Sequence, residues 1–294
     1  MKSAICALIL LATTSVFTAR HHVAGCGVLQ RVPVTGVVCS HGPDSPGIAG
    51  CTGLLCTGLL AAPPPPPSPC LGDGHSGKRV QLFYGQQQGS PDQSSTIVSD
   101  IRTAADRVNQ AYRQAGTRNV RWVCSGSESV IHIMVPDGTL AGAINALRAA
   151  GYSSQDRVYV VIETGPAQFV GWATVDGDDR PTNNANDTGP AYSIVYGANS
   201  FSLMHELGHN LGAVQLSAPH SSGAWHCYQQ HDVMCFNDGG SYFQQGGKMI
   251  ACDDGTSLAQ EFDCGDDDYF ASSPRSAYLA THWNILHSGF LEAA

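Results

Sequence analysis

The run Phe201-Ser-Leu-Met-His-Glu-Leu-Gly-His-Asn-Leu-Gly212 constrains this chain more than any other stretch. It sets two imidazoles four residues apart, places a carboxylate between them and ends at a glycine. Residues i and i+4 of a helix lie one above the other on one face, so His205 and His209 can direct two nitrogens at a single tetrahedral metal ion. Glu206 then stands beside the ion without reaching it, where a general base takes a proton from water that the metal activates. Random placement of the 12 histidines and few glutamates among 294 residues would yield His-Glu-x-x-His about 0.01 times, so the pattern is specific. Two histidines capping a buried helix, with a solvated Glu206 between them, is the plain alternative, and it leaves the following residues unexplained. Gly212 is the residue type that leaves a helix with positive φ, so the helix is expected to stop just beyond its second ligand.

The run His205-Glu206-x-x-His209-x-x-Gly212, followed by a methionine turn, resembles the metzincin zinc endopeptidases. In that family the chain reverses at the glycine and delivers a third histidine three residues later. That position here is Gln215. His226 is the favoured replacement, because His226-Cys227 leading into Asp232-Val-Met234-Cys235 is similar to the archaemetzincin branch. A Cys227–Cys235 bond would fix His226 relative to Met234. His220, stiffened by Pro219, is the runner-up, with Asp232 and Gln215 behind it. Gly-Ala-Val-Gln-Leu-Ser-Ala-Pro-His and Asp-Val-Met-Cys also look like secreted reprolysin-like bacterial metallopeptidases, a resemblance that spans residues 79 to 291. It adds no ligand assignment of its own; the metzincin resemblance implies catalytic zinc on His205, His209 and His226, Glu206 as general base, Met234 as an apolar floor under the metal, and a protein or peptide substrate. The implied fold is α/β (α+β): a mixed twisted sheet with backing helices, an active helix beneath the cleft, and an irregular C-terminal part.

A net charge of −9 with no clustered Lys or Arg argues against a nucleic-acid partner, since phosphate binding needs such clusters. Residues 1–19 pair Lys2 with a short apolar run and small residues, the pattern of a secretory signal peptide. No later segment approaches membrane-spanning length, so a secreted, extracellular monomer with no membrane partner after signal removal is expected. Residues 20–77 read as an appendage or propeptide with no legible job, containing a stiff proline-rich linker at 61–69. The metallopeptidase-like domain is expected over 78–294.

Secretion makes disulfides expected, and parity limits them. If Cys227 pairs with Cys235 and Cys252 with Cys264, Cys124 needs a partner from the appendage, or one thiol in each part stays free. A free Cys70 would be able to occupy the metal's open position and hold the enzyme latent, although the motif that some metzincins use for this is absent.

Strands are expected at 79–84, 120–123, 130–135, 158–162 and 192–196. The apolar 158–162 run implies cover on both faces. Ile97, Ile101, Ala105, Val108 and Tyr112 recur at helical spacing after an N-cap at Ser94 or Ser95, and a second helix is expected from Leu140 to Ala150. An edge strand that would pair with an extended substrate lies at 169–175 or at 192–196. The acidic stretches 176–187 and 252–268 are candidate structural calcium sites, with solvated loops as the alternative. His132, His282 and His287 read as structural or surface residues, and 276–291 as a closing helix or turn. Two other functions stay open: a secreted binding module with an idle zinc site, and a zinc hydrolase of a non-protein amide.

Overall fold

The computed structural model describes residues 28–32, 36–41, 44, 67–124, 129–165, 169–252 and 262–294. The expected signal peptide, most of the appendage and most of the proline-rich linker lie outside them. Nine strands are described: β1 (Val28–Val32), β2 (Gly36–Ser40), β3 (Arg79–Gln87), β4 (Arg118–Val120), β5 (Val130–Val135), β6 (Arg157–Glu163), β7 (Gly171–Ala173), β8 (Ala191–Tyr196) and β9 (Leu291–Ala293). The helices are α1 (Ser94–Gly116), α2 (Leu140–Ala149), α3 (Ser200–Leu211), α4 (Ser241–Gln244) and α5 (Ala277–Thr281).

The architecture is α/β. The central sheet runs β5-β3-β6-β8-β7, with the first four strands parallel and β7 antiparallel at the edge. Parallel pairing needs crossovers, and α1 and α2 supply them, so the sheet is covered on both sides. Alternation along β6 shows this cover directly. Val158, Val160 and Ile162 join α1 and α3 in one apolar cluster, while Tyr159 and Val161 join α2 in the other. The five residues that marked α1 by their spacing are all buried. Its N-cap is Gln93, whereas Ser94 already lies within the first turn. Helix α2 starts behind a Thr139 cap, whose hydroxyl accepts from the Gly142 amide.

The C-terminal region is short on regular structure, as expected of the irregular part, and only Ala277–Thr281 of the expected closing segment is α-helical. Three disulfides hold the described residues: Cys70–Cys124, Cys227–Cys235 and Cys252–Cys264. Parity is thus resolved by an appendage thiol meeting Cys124. A free Cys70 acting on the metal is ruled out, because its sulfur is already bonded. No helix among the described residues is long and apolar enough to cross a membrane.

Candidate metal centre

Helix α3 begins at an Asn199 cap, whose side chain accepts from the Phe201 amide, and ends where Gly212 takes φ +98°. The Gly212 and Ala213 amides close back on His209 and Gly208, so the chain turns sharply after one more residue. That turn brings the Ala213 carbonyl under His209, whose Nδ1 donates to it at 2.9 Å. One helical turn earlier, His205 Nδ1 donates to the Val233 carbonyl at 2.7 Å. Each histidine therefore spends its Nδ1–H on a backbone oxygen and leaves Nε2 as the inward-facing lone pair. The two Nε2 atoms lie 3.1 Å apart.

His226 completes the group. Its Nε2 is 3.2 Å from that of His209, while its Nδ1 donates to Asp238 at 3.0 Å. The Asp238 carboxylate is fixed in turn by the Ser222 hydroxyl and the Gly240 amide. All three imidazoles are at least 97% buried. Tetrahedral zinc with bonds of about 2.0–2.1 Å would set neighbouring donor atoms about 3.3 Å apart, close to the observed spacing. The His205 and His226 Nε2 atoms both face that of His209, each ring with its other nitrogen committed, and this donor set fits a metal ion.

Burial, and after it the neighbouring imidazoles, hold His209 well below its ordinary value, so it is neutral. Burial also works to lower His226, but the Asp44 and Asp238 carboxylates push it up to about 9. Glu206 is fully buried beside this group, and neither carboxylate oxygen has a hydrogen-bond partner. Burial, then the Asp44 carboxylate, raise its carboxyl well above the usual range.

Two glycines make the packing possible. A Cβ on Gly208 would lie 2.6 Å from the Met234 sulfur, so Met234 sits directly against α3. A Cβ on Gly171 would lie 2.6 Å from Glu206 Cγ and Cδ, so the edge strand passes directly over this carboxylate. The edge strand is Gly171–Ala173, within the first of the two stretches offered by the sequence, while Tyr192 to Tyr196 is the interior strand beside it.

The structure gathers His205, Glu206, His209 and His226 at one place and turns the other ligand candidates to other partners. His220 is turned to Asp267 and Asp268, at 3.3 and 3.2 Å. The Gln215 amide nitrogen donates to the Asp176 and Gly212 carbonyls. Asp232 accepts from the Met234 and Cys264 amides and the Tyr269 hydroxyl. Several acids of these stretches are bound by protein donors, while His220, Asp267 and Asp268 form a further group of the kind that could hold an ion. Asp263 accepts from the amides of residues 267–270, and Asp178 binds Arg180 and the Ala185 amide. Among the described residues, no three carboxylates come within reach of one ion.

Two residues in the site were not anticipated: His41 and Asp44, from the segment that read as an appendage without a job. Asp44 Oδ2 lies 3.1 Å from His205 Nε2, and Oδ1 lies 3.3 Å from His226 Nε2. The ring of His41 stacks on that of His209 with centroids 3.9 Å apart. Its Nε2 accepts from the Ala173 amide at 2.9 Å and lies 3.3 Å from Glu206. Burial works to raise Asp44, but the imidazoles of His41, His205 and His226 hold it well below the ordinary carboxylate range. The only sequence signal for the pair was a histidine and an aspartate three residues apart, which is too common to single out.

No protein-family model and no curated protein matches the chain. Among solved structures, metalloproteinase-II from Bacteroides fragilis is similar over 61% of this chain and 53% of its own, with 16% identity and a TM-score of 0.31. The chain thus spans about half the length of that structure.

Proposed function

We propose that this chain is a secreted zinc-dependent endopeptidase of metzincin type, with a catalytic domain over residues 78–294. His205, His209 and His226 would hold the zinc and Glu206 is the general base. The carrying observation is the approach of the His205 and His226 Nε2 atoms to that of His209, beside an unpartnered buried carboxylate on the helix that bears His205 and His209. When bound, zinc would polarise the scissile carbonyl and acidify the attacking water.

The chain's own residues do the rest. Glu206, one position along α3 from His205, accepts the water proton on a carboxylate oxygen and returns it to the leaving amide nitrogen. The Val233, Ala213 and Asp238 acceptors keep each Nε2 aimed at one point. Met234 closes the apolar floor against Gly208. The edge strand β7 offers backbone groups to an extended peptide, with Gly171 giving it close approach to Glu206. Ser40 and Asp44 already pair with backbone groups of this edge, at Thr174 and at Val170 and Gly171, and this favours a peptide substrate over a small amide or an idle binding site. Residues 1–19 act as the export signal in this reading, and the three disulfides suit an oxidising compartment. All the named groups come from one chain, so a monomer suffices, and calcium has no part in the reading.

The test is Glu206→Gln. It should retain one zinc per chain and lose hydrolysis of a quenched peptide library by at least about 10²-fold, as removal of a positioned base costs. A variant that keeps full activity, or a wild-type chain that takes up no zinc, refutes the proposal.

A further inference from the structure

The Val233 carbonyl that takes the His205 Nδ1–H at 2.7 Å belongs to an irregular loop, so it aims the imidazole only as well as the loop itself is fixed. Asp232, the neighbour of Val233, lies outside the histidine group. It is 4% exposed, and three donors converge on its carboxylate. Oδ1 accepts from the Met234 amide at 2.7 Å and from the Tyr269 hydroxyl at 2.8 Å, while Oδ2 accepts from the Cys264 amide at 2.8 Å. The bond to Met234 closes an Asx turn over Val233, and the Cys235 amide donates back to the Asp232 carbonyl at 3.2 Å. The peptide that carries the Val233 carbonyl is therefore held from both sides.

The far end of this hold is fixed by a second buried acid. Asp263, 1% exposed, accepts from the amides of Asp268 at 3.0 Å, Tyr269 at 2.8 Å and Phe270. Residues 263–270 thus fold round one carboxylate. The Asp263 amide in turn donates to the Tyr269 oxygen at 2.8 Å, which leaves the hydroxyl proton for Asp232. Cys264, the third donor's residue, is bonded to Cys252. A line of bonds of 2.7–2.8 Å runs from the Asp263 amide through Tyr269, Asp232 and the turn over Val233 to His205. A buried carboxylate is a costly filler beside an apolar side chain of the same size, so what Asp232 adds is direction.

We propose that Asp232 and Tyr269 are positioning residues of the metal centre: through them residues 263–270 set the Val233 carbonyl, and with it the aim of His205 Nε2. This rests on the three-histidine site of the metallopeptidase reading above, and no part of it requires turnover.

The test compares full-length wild type with Tyr269→Phe, Asp232→Asn, Asp232→Ala and Ile144→Val, the last a core change in the apolar cluster on the opposite face of the sheet. Zn2+ affinity is measured by competition with a fluorescent chelator well below each Tm, and the visible spectrum of Co2+-loaded protein reports the geometry of the site. Asp232→Ala should weaken Zn2+ binding by about tenfold, the low end for loss of a group that orients a ligand, because the Val233 carbonyl itself remains. Tyr269→Phe removes one donor of the three and should weaken it less; it stands in if Asp232→Ala fails to fold. Asp232→Asn keeps the Oδ1 acceptor and should recover part of the loss. The Co2+ spectrum should shift in the same order, whereas Ile144→Val should lower Tm and leave both readings alone. Zn2+ affinity within about twofold of wild type in Tyr269→Phe and in every Asp232 variant that folds, with unchanged Co2+ spectra, overturns the inference. So does an equal loss of affinity in Ile144→Val, which would make the effect one of stability alone. If the variants behave as expected but wild type cleaves no peptide, the positioning role stands and the peptidase reading falls. If wild type binds no metal, both fall.

Discussion

The support behind His226 allows a quantitative prediction that does not depend on turnover. Asp238 is the acceptor for His226 Nδ1 at 3.0 Å, and both side chains are almost fully buried. Burial works to raise the Asp238 carboxyl, but the bonds from His226 and Ser222 hold it below the ordinary range, so it is an anion. In Asp238→Ala the buried Nδ1–H loses its only described partner, a cost of about 1–3 kcal/mol. Loss of an acceptor to a metal-ligating histidine typically lowers metal affinity about 10–100-fold, or about 1.4–2.7 kcal/mol, so the two figures agree. Asp238→Asn keeps an oxygen acceptor but removes the charge. A charge-assisted bond is about twice as strong as a neutral one, so the asparagine variant should lose about half as much free energy, a factor of about 3–10. The assay is competition for Zn2+ against a fluorescent chelator at fixed pH, with wild type, both Asp238 variants and His226→Ala in parallel. The expected order of affinity is wild type, then Asn, then Ala, with His226→Ala weakest. If Asp238→Ala stays within about twofold of wild type while His226→Ala collapses, the orienting role assigned to Asp238 is refuted. If His226→Ala itself binds zinc normally, the three-histidine site is wrong.

Gly171→Ala would place a carbon 2.6 Å from Glu206 Cγ and Cδ, so the carboxylate must retreat by about 1 Å to reach ordinary carbon contact. A displacement of that size in a reacting group costs about 10²-fold in kcat, so peptide hydrolysis should fall by this much with zinc content unchanged, and full activity would refute the placement. His220 has its imidazole pushed up to about 10 by its bonds to Asp267 and Asp268. Its contribution to stability is therefore full below its ordinary value of 6.5 and lost as pH rises through about 10. His220→Gln should accordingly lower Tm more at pH 6 than at pH 10.5 and leave zinc affinity unchanged, whereas a fall in zinc affinity would return His220 to the ligand set.

The parts of this molecule that could be read from its sequence are those whose physics is local. Spacing of four residues on a helix is enough to place His205 and His209, and Gly212 marks the end of that helix because a left-handed residue is needed there. Alternation and apolar runs placed β3, β5, β6 and β8, since each must meet cover on a known number of sides. His226 was harder, because a ligand on an irregular loop obeys no period. The choice between it and His220 turned on Asp238 on one side and Asp267 with Asp268 on the other, contacts 12 and 47–48 residues away in the chain. Gly171 and Gly208 were illegible for a similar reason: their lack of a side chain matters only because Glu206 and Met234 approach from elsewhere.

The segment carrying Asp44 shows the limit most sharply. It is held to the body mainly through backbone bonds to β7, and backbone pairing asks little of residue type beyond the absence of proline at a donating position. What specifies its placement is register. Ser40 is set opposite Thr174, and Asp44 meets the backbone at the level of Val170 and Gly171, where Glu206 lies beneath. The information that aims Asp44 at the metal centre is thus shared between two stretches some 130 residues apart, and neither has a motif of its own. A short stretch that reads as featureless can still be placed when its partner is a sheet edge.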